Sequence, residues 1–495
     1  MNGWISEFRM SKEQNGRLGW VERIGYGLGD LASNLYFQMF NMFLLFYYTD
    51  VFGISAAAVS WIFLLSRVWD AVNDPVMGVI ADRTRTRWGS FRPFILWFAI
   101  PFGVAGYFMF YSPDLSPGWK IAYAALTYTL VSMLYTAVNI PYSGLMAVIS
   151  PSSAERARVS SIRFIFAFLG GWVIVQFLPP LKESLGGGDD VIGFRNTMLL
   201  FAAMATILFL LTFATTKERV APEATTSDRK QLGEDIKTLV TTRPWLILVF
   251  AGLINLTAVA IKNGSNIFYF KYVVPGTSDV EVASFGSGGW MAMILGVMCT
   301  GLLIKFFEKR KLIIWLTIIG GIGMALPYWI DPGLRITMPG VETGAYSIFG
   351  LEMTSVVFFP ENPRWIYIIN LLGSFAAGPP VALVWTMYTD VAAFIRWKHN
   401  RRITGLVVSA AVFSQKFGMA IGGWFAGMLL TWCGFKANME QTDTSKHGIL
   451  LLFSLIPAVL IVGQGVAMFF YRLTDGQMRE IEKELDEQEA ASVPV

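Results

Sequence analysis

Apolar residues form twelve long blocks along the chain, and short polar segments separate them. A helix needs about 20 mostly apolar residues to cross a bilayer, and each block has about this length. The pattern therefore predicts an all-α membrane protein with twelve transmembrane helices. The predicted spans lie near residues 26–48, 57–80, 94–112, 121–142, 161–181, 196–214, 245–270, 284–306, 312–330, 365–389, 404–432 and 448–471.

One long hydrophilic stretch divides the spans into six and six, which predicts two six-helix bundles with a binding cavity at their interface. The external loop 331–364 is rich in Pro and Gly, and it is predicted to be either a spacer or a lid. The predicted segments are 1–25 (N-terminal cytoplasmic segment), 26–214 (first bundle), 215–244 (cytoplasmic linker), 245–472 (second bundle) and 473–495 (cytoplasmic tail, with a short charged helix).

The basic residues of the loops predict the orientation of the chain. Of the 39 Lys and Arg residues, 27 lie in the segments that share a side with the N-terminus, and 8 lie in the segments on the opposite side. Because Lys and Arg accumulate on the cytoplasmic side of membrane proteins, both termini are expected in the cytoplasm.

Composition excludes several classes of function. Only 15% of the 495 residues are charged and 54% are hydrophobic, with a mean hydropathy of +0.51. These values exclude a soluble enzyme, a disordered protein and a nucleic-acid binder. Two Cys and two His are too few for a disulfide scaffold or a Cys/His metal site, and no phosphate loop, HExxH or GxSxG motif occurs. We therefore expect no enzymatic activity, no cofactor and no nucleic-acid partner.

Charged residues inside the second predicted span suggest a cation site. Arg67, Asp70 and Asp74 are spaced by three and four residues, so they share one helix face, and Asn73 lies beside them. Ionisable groups are costly within a membrane and need a reason. Two carboxylates one turn apart could bind Na⁺ or carry H⁺, with Arg67 pairing in the empty site. The alternative is a structural ion pair between helices.

The first predicted span carries a polar stripe that consists of Asp30, Asn34, Gln38 and Asn41. Its spacing keeps these side chains on one face, where they could bind sugar hydroxyls or, alternatively, join neighbouring helices. Further polar or aromatic candidates for the same pathway are Tyr135, Thr136 and Asn139 before Pro141, Arg163, Lys262, Trp385 as a stacking surface, and Ser414, Gln415 and Lys416.

These segments together resemble the glycoside–pentoside–hexuronide:cation symporters, the melibiose-carrier-like members of the major facilitator superfamily. The resemblance extends from about residue 22 to residue 488. It is carried by residues 67–75 (RVWDAVNDP), 81–93 (ADRTRTRWGSFRP), 26–30 (YGLGD), 47–50 (YYTD), 139–142 (NIPY), 216–219 (TKER), 390–392 (DVA), 397–398 (WK), 401–405 (RRITG) and 473–475 (LTD).

The resemblance implies specific roles. The coupling cation would be held by Asp70, Asn73, Asp74 and Thr136, while Arg163 would bind sugar and Lys416 would face the same cavity. The substrate-binding set is then Asn34, Gln38, Tyr135, Asn139, Arg163, Lys262, Trp385 and Lys416. Conformational or gating roles are expected for Arg67, Asp82, Arg83, Asp390, Arg401 and Arg402.

Departures from the melibiose-type pattern modify this expectation. Asn34 and Asn139 replace acidic sugar ligands, as in the glucuronide and xyloside branches, and Ala393 and Arg396 stand where the family often has acidic residues. Counting four basic and two acidic interior residues, with Asp30 left aside, gives a positive cavity that would accept an acidic sugar such as a uronide.

The sequence thus predicts a secondary active symporter that takes up a glycoside, oligosaccharide or hexuronide with Na⁺ or H⁺ by alternating access. The alternatives are a cation-coupled transporter of an amphiphile such as a lysolipid, and a non-transporting membrane sensor. The expected partners are the sugar and the lipid bilayer, the expected state is a monomer, and the expected location is the bacterial inner membrane, as a multi-pass protein.

Overall fold

The computed structural model describes residues 18–220, 229–274, 276–277, 279–337, 346–348, 351–353, 363–401 and 403–491. Helices dominate this part of the chain. Helix α1 (Trp20–Met42) continues through Leu44–Phe46 into a π-helical turn (Tyr47–Val51). The other helices of the first half are α2 (Ala56–Arg83), α3 (Arg92–Met109), α4 (Pro117–Val148), α5 (Ser153–Gly186) and α6 (Asp190–Thr215).

The second half begins with a short helix inside the predicted linker. The helices here are α7 (Arg229–Thr241), α8 (Arg243–Tyr272), α9 (Asp279–Leu303), α10 (Lys309–Ala325, then a 3₁₀ turn Leu326–Tyr328), α11 (Trp365–His399), α12 (Thr404–Trp432), α13 (Asp443–Phe453), α14 (Leu455–Met468) and α15 (Asp475–Ala491). Helix α15 is the charged tail helix that the sequence predicts.

In the part of the chain that the structure describes, ten helical stretches are long and apolar enough to cross a membrane, which supports ten of the twelve predicted spans. Helices α1 and α2 are not among them, and α2 contains the charged residues Arg67, Asp70 and Asp74. Their crossings remain predictions. The helices also extend past the apolar blocks. Helix α2 begins at a polar cap, where the Ser55 side chain accepts a hydrogen bond from the Ala58 amide.

A two-stranded hairpin is the exception to the all-α prediction. Strands β1 (Tyr346–Ile348) and β2 (Leu351–Met353) pair antiparallel within the long loop 331–364, and β2 contacts α5. Much of that loop lies outside the described residues, so the choice between spacer and lid stays open.

The chain forms two compact units, Met1–Thr225 with Gly344–Ser355 and Thr226–Thr343 with Val356–Val495. In the first unit α1 packs on α5 and α6, α3 packs on α4 and α6, and α2 packs on α4. The second unit repeats this order: α8 packs on α12 and α14, α10 on α11 and α14, and α9 on α11. The pair α2–α4 therefore has its counterpart in the pair α9–α11.

Candidate functional site

Two carboxylates of α2 are bound by two hydroxyls of α4. The Ser132 hydroxyl donates to Asp70 Oδ1 at 2.7 Å, and the Thr136 hydroxyl donates to Asp74 Oδ1 at 2.8 Å. Each pair of partners is spaced by four residues on its own helix, so the side chains meet in register, one helical turn apart. Asp70 and Thr136 are buried, and Asp74 is half-buried. The structure thus brings Asp70, Asp74 and Thr136 together.

A third contact extends this row by one turn. Ser66 Oγ lies 3.3 Å from Thr129 Oγ1, between the same two helices. We call the three contacts Ser66–Thr129, Asp70–Ser132 and Asp74–Thr136 the ladder.

Arg67 and Asn73 complete the polar face of α2. The Arg67 guanidinium donates to Asp70 Oδ2 at 3.1 Å, within one turn of the helix. Asn73 Nδ2 is buried, and no hydrogen-bond partner for it occurs among the described residues. Carboxylate, hydroxyl and amide oxygens are the ligands that hard cations prefer. The arrangement therefore suits a small cation such as Na⁺, and its carboxyl groups also suit H⁺.

Asp30 and Arg163 form an ion pair between α1 and α5. Arg163 Nε lies 2.8 Å from Asp30 Oδ2, and the guanidinium also lies over the ring of Tyr142. Tyr142 stacks on Tyr26, and each hydroxyl donates to the other residue's carbonyl oxygen.

This ion pair changes the charge of the cavity from the positive value predicted from the sequence. Asp30 was left out of that count, yet it neutralises Arg163, just as Asp70 neutralises Arg67. The described interior residues of the first unit therefore carry no excess of positive charge.

The remaining stripe residues of α1 have different environments. Asn34 is half-buried, and its amide donates to the Asp30 carbonyl at 2.9 Å. Gln38 is buried, and its Oε1 has no hydrogen-bond partner in the described part of the chain. On α4, Tyr135 packs against Phe102, and Asn139 is half-buried one turn further on.

In the second unit, Lys262 of α8 places its ammonium 4.0 Å from the ring centroid of Phe453. Phe453 in turn stacks on Tyr269 at 3.9 Å. Among the described residues, no carboxylate lies within ion-pair distance of Lys262. A cation over an aromatic face is stabilised without being neutralised.

Two other second-unit candidates lie on two helices: Trp385 of α11 packs edge-on against Tyr388, and Lys416 is half-buried on α12. Asn255 of α8, which the sequence did not single out as a site residue, donates to Gln464 of α14 at 2.7 Å. The predicted residues therefore fall into one set in each unit.

Comparison with known proteins identifies the family. Residues 25–475 match the family described as MFS/sugar transport protein. The inner membrane symporter YicJ of Escherichia coli (strain K12) is 32% identical over 468 residues, which cover 94% of each chain. The isoprimeverose transporter of Lactiplantibacillus pentosus is 32% identical over 459 residues, 92% of this chain and 89% of that protein. The chain belongs to the glycoside–pentoside–hexuronide:cation symporters.

The fold agrees with this family. The crystal structure of a D-xylose–proton symporter aligns with a TM-score of 0.58 at 14% identity, covering 91% of this chain and 96% of that one. The chain is therefore a cation-coupled sugar transporter of the major facilitator superfamily, not an enzyme, and it is a multi-pass integral protein of the inner membrane.

The symporter's expected gating residues are only partly described. Arg83 is exposed at the end of α2, whereas the Asp82 side chain and Arg402 lie outside the described residues. Asp390 of α11 pairs with Lys309 of α10 at 2.7 Å. Arg401 pairs with two acidic residues of α7, Glu234 and Asp235, so the predicted linker is partly folded onto the second unit.

Residues 216–219, which the sequence analysis quoted only for their family resemblance, join distant segments of the first unit through hydrogen bonds and an ion pair. Glu218 accepts hydrogen bonds from the backbone amides of Ser90, Phe91 and Arg92, which caps the N-terminus of α3. Arg219 pairs with Glu22 through both carboxylate oxygens, and these bonds hold the pKa of Arg219 above its usual value.

Glu155 at the start of α5 makes a second long-range contact of this kind, with Arg23 and the Leu18 amide. Burial opposes its ionisation, but hydrogen bonds from Arg23 and from the Leu18 amide hold its pKa below the usual value. Sequence reasoning missed Glu22, Glu155 and Glu218 as partners, because their contacts join residues more than 100 positions apart. It also missed Ser132, although its position one turn before Thr136 was a usable signal.

Proposed function

We propose that the protein is a secondary active symporter that takes up a glycoside, small oligosaccharide or hexuronide together with Na⁺ or H⁺. The observation that carries the proposal is the ladder. In it, two hydroxyls of α4 donate hydrogen bonds to two carboxylates of α2, in a chain that belongs to a sugar-transporter family. The chain would cross the membrane twelve times with both termini in the cytoplasm, as the basic residues of its loops favour.

The coupling cation would bind at Asp70, Asn73, Asp74 and Thr136. Two carboxylates one turn apart repel each other, and a bound cation relieves that repulsion. Cation binding would therefore stabilise one arrangement of α2 and α4, which we take to be the outward-open state that binds sugar. A ligand can shift such an equilibrium only through its different affinities for the two states.

The sugar would be bound by groups from both units. Amide side chains and a tyrosine hydroxyl can exchange hydrogen bonds with sugar hydroxyls, and an indole ring can stack on a sugar face. The proposed set is Asn34, Gln38, Tyr135, Asn139, Arg163, Lys262, Trp385 and Lys416.

The charge of the sugar is a separate question. Arg67 and Arg163 are each paired with a carboxylate, whereas Lys262 lies over an aromatic ring. Lys262 is therefore the residue we expect to favour an acidic group on the substrate. A relative that transports isoprimeverose supports a sugar substrate but does not decide its charge.

Alternating access would involve the charged groups at the helix ends and the Arg67–Asp70 pair. Ion pairs such as Asp390–Lys309 would break and form as the units move. We assign this role to Arg67, Asp82, Arg83, Asp390, Arg401 and Arg402.

The test is transport by the purified protein in liposomes. Counterflow with a panel of neutral and acidic glycosides identifies the sugar without a cation gradient. Uptake is then measured with a Na⁺ gradient and a pH gradient imposed independently. We expect at least one gradient to drive accumulation of the sugar that counterflow selects. Counterflow without accumulation under either gradient would show a uniporter and overturn the proposal.

A further inference from the structure

Arg163, one of the residues proposed to bind the sugar, meets the carboxylate of Asp30 inside the first unit. Arg163 Nε donates to Asp30 Oδ2 at 2.8 Å, and this bond joins α5 to α1. We propose that Asp30 is a specificity-determining residue: it balances the charge of Arg163, so that Arg163 binds hydroxyls of the sugar and disfavours an acidic group. The proposal rests on the proposed symport of a sugar and adds to it which part of the sugar Arg163 accepts.

The first step of the argument concerns the hydrogen-bond donors of Arg163. A guanidinium has five N–H donors, and Asp30 accepts from the one on Nε. The four donors of the two terminal amino groups lie outside this bond, and they can donate to sugar hydroxyls. Asp30 therefore balances the charge of Arg163 without occupying most of its donors.

The second step is the difference in burial between the two partners. The Arg163 side chain is 27% exposed, whereas the Asp30 side chain is 8% exposed. A ligand can therefore reach the guanidinium, but it has little access to the carboxylate. Because charges interact more strongly away from water, the buried carboxylate balances the guanidinium more effectively than a surface carboxylate would.

The third step is that the guanidinium is held in place. Its central carbon lies 5.4 Å from the ring centroid of Tyr142, and this ring stacks on Tyr26. The two tyrosines also exchange hydrogen bonds, at 2.7 and 3.0 Å, from each hydroxyl to the other residue's carbonyl oxygen. Gly29 allows this packing beside Asp30, since a Cβ there would lie 2.5 Å from the Tyr142 ring. To follow an acidic group, Arg163 would have to leave both the carboxylate and the ring.

The ion pair therefore penalises an acidic group at this position. A substrate carboxylate beside Arg163 would also lie near Asp30, and the two negative charges would repel each other. A sugar hydroxyl carries no such cost. An acidic substrate would thus place its acidic group away from Arg163. Substitution of either partner should change the preference of the site, and in opposite directions.

The experiment compares the wild-type protein with Asp30→Asn, Arg163→Gln and the double variant Asp30→Asn/Arg163→Gln. The first leaves the positive charge unbalanced, the second leaves the negative charge unbalanced, and the double variant is neutral again. Asp190→Asn is the control, because Asp190 of α6 forms an ion pair of the same length, 2.7 Å, with Lys182 and is not among the proposed sugar ligands.

Affinities are measured in liposomes by competition in counterflow. The competitors are phenyl glucoside and phenyl glucuronide, in the anomer that the wild-type protein binds. These two sugars differ only in a carboxylate that replaces the primary alcohol. The quantity compared is the ratio of the two affinities, because a general packing defect lowers both affinities alike and leaves their ratio unchanged.

We expect Asp30→Asn to raise the ratio of glucuronide affinity to glucoside affinity about tenfold, which corresponds to about 1.4 kcal/mol. Arg163→Gln should lower the ratio by a similar factor, and this variant decides the question if Asp30→Asn does not fold. The double variant and Asp190→Asn should stay within about twofold of the wild-type ratio. Asp30→Glu, which keeps the charge, should retain the wild-type preference.

An unchanged ratio in the two single variants, or shifts in the same direction, would make the ion pair a structural contact and overturn the proposal. An equal shift in Asp190→Asn would also overturn it, because the effect would then follow from the net charge of the protein. Wild-type protein that supports counterflow of no glycoside would instead overturn the proposed function.

Discussion

Helix pairs α2–α4 and α9–α11 occupy the same place in the packing orders of their units, but different chemistry holds them together. The first pair meets through the ladder of carboxylates and hydroxyls. The second meets through glycines: a Cβ on Gly296 would lie 2.2 Å from the Phe375 carbonyl oxygen, and a Cβ on Gly378 would lie 2.5 Å from that of Met293.

The difference indicates why α2 carries charged residues. Small residues allow close approach of membrane helices without charged side chains at the contact, as at Gly296 and Gly378 of α9–α11. The side-chain hydrogen bond from Asn370 of α11 to the Phe285 carbonyl of α9 is between neutral groups. A helix pair in this position therefore does not need Asp70 and Asp74 in order to pack. Helix α2 is predicted to cross the membrane, where ionisable groups carry a free-energy cost, so we infer that the presence of Asp70 and Asp74 there reflects function more than structure.

Asp74→Asn tests this conclusion with the largest expected effect. The amide keeps the shape but removes the charge that would bind the cation, so accumulation against a gradient should be lost while counterflow persists. Liposome uptake under Na⁺ and pH gradients measures both. Accumulation by Asp74→Asn against a gradient would mean that the coupling site lies elsewhere.

Gly296→Ala tests the other side of the comparison. The added methyl would collide with the Phe375 carbonyl, so the variant should lose about 3 kcal/mol of stability, seen as a lower melting temperature in detergent. Gly301→Ala on the same helix is the control, because no atom lies within 4 Å of the added Cβ. Equal melting temperatures for the two variants would refute the close-packing interpretation.

Lys262→Gln probes the lysine of α8 whose ammonium lies over the ring of Phe453. If the substrate is acidic, removal of this charge should weaken its binding about tenfold, since hydrogen bonds to charged groups contribute about 1.5–3 kcal/mol. Competition in counterflow measures the affinities of an acidic and a neutral glycoside. Lys262→Arg should retain the preference, whereas equal losses for both sugars in Lys262→Gln would indicate a packing role.

Asn255→Leu should have the smallest effect. It breaks a neutral hydrogen bond to Gln464, and such bonds between membrane helices contribute about 0.6 kcal/mol on average. We expect a small decrease in melting temperature and unchanged cation coupling. The double variant with Gln464→Leu should recover part of the loss, and a loss of coupling in either variant would place this amide pair in the transport mechanism.

The sequence predicted the fold well where a one-dimensional pattern carries the information. Apolar blocks located the helices, and the spacing of Asp70 and Asp74 placed them on one face. The partner helix of that face was predictable only in part: Thr136 came from the family resemblance, and Ser132 was missed.

Long-range pairings were not predictable from a single sequence. Asp30 was left out of the predicted cavity charge because it lies near the cytoplasmic end of its span, but it meets Arg163, 133 residues away. Periodicity shows which residues share a face, but it does not show which face of another helix will lie opposite.

Glu218 and Arg219 have a consequence for biogenesis. The amides at the start of α3 are bound by Glu218, and the carboxylate of Glu22 is bound by Lys217 and Arg219, in the segment that follows α6. These contacts cannot form until the ribosome has synthesised all six helices of that unit.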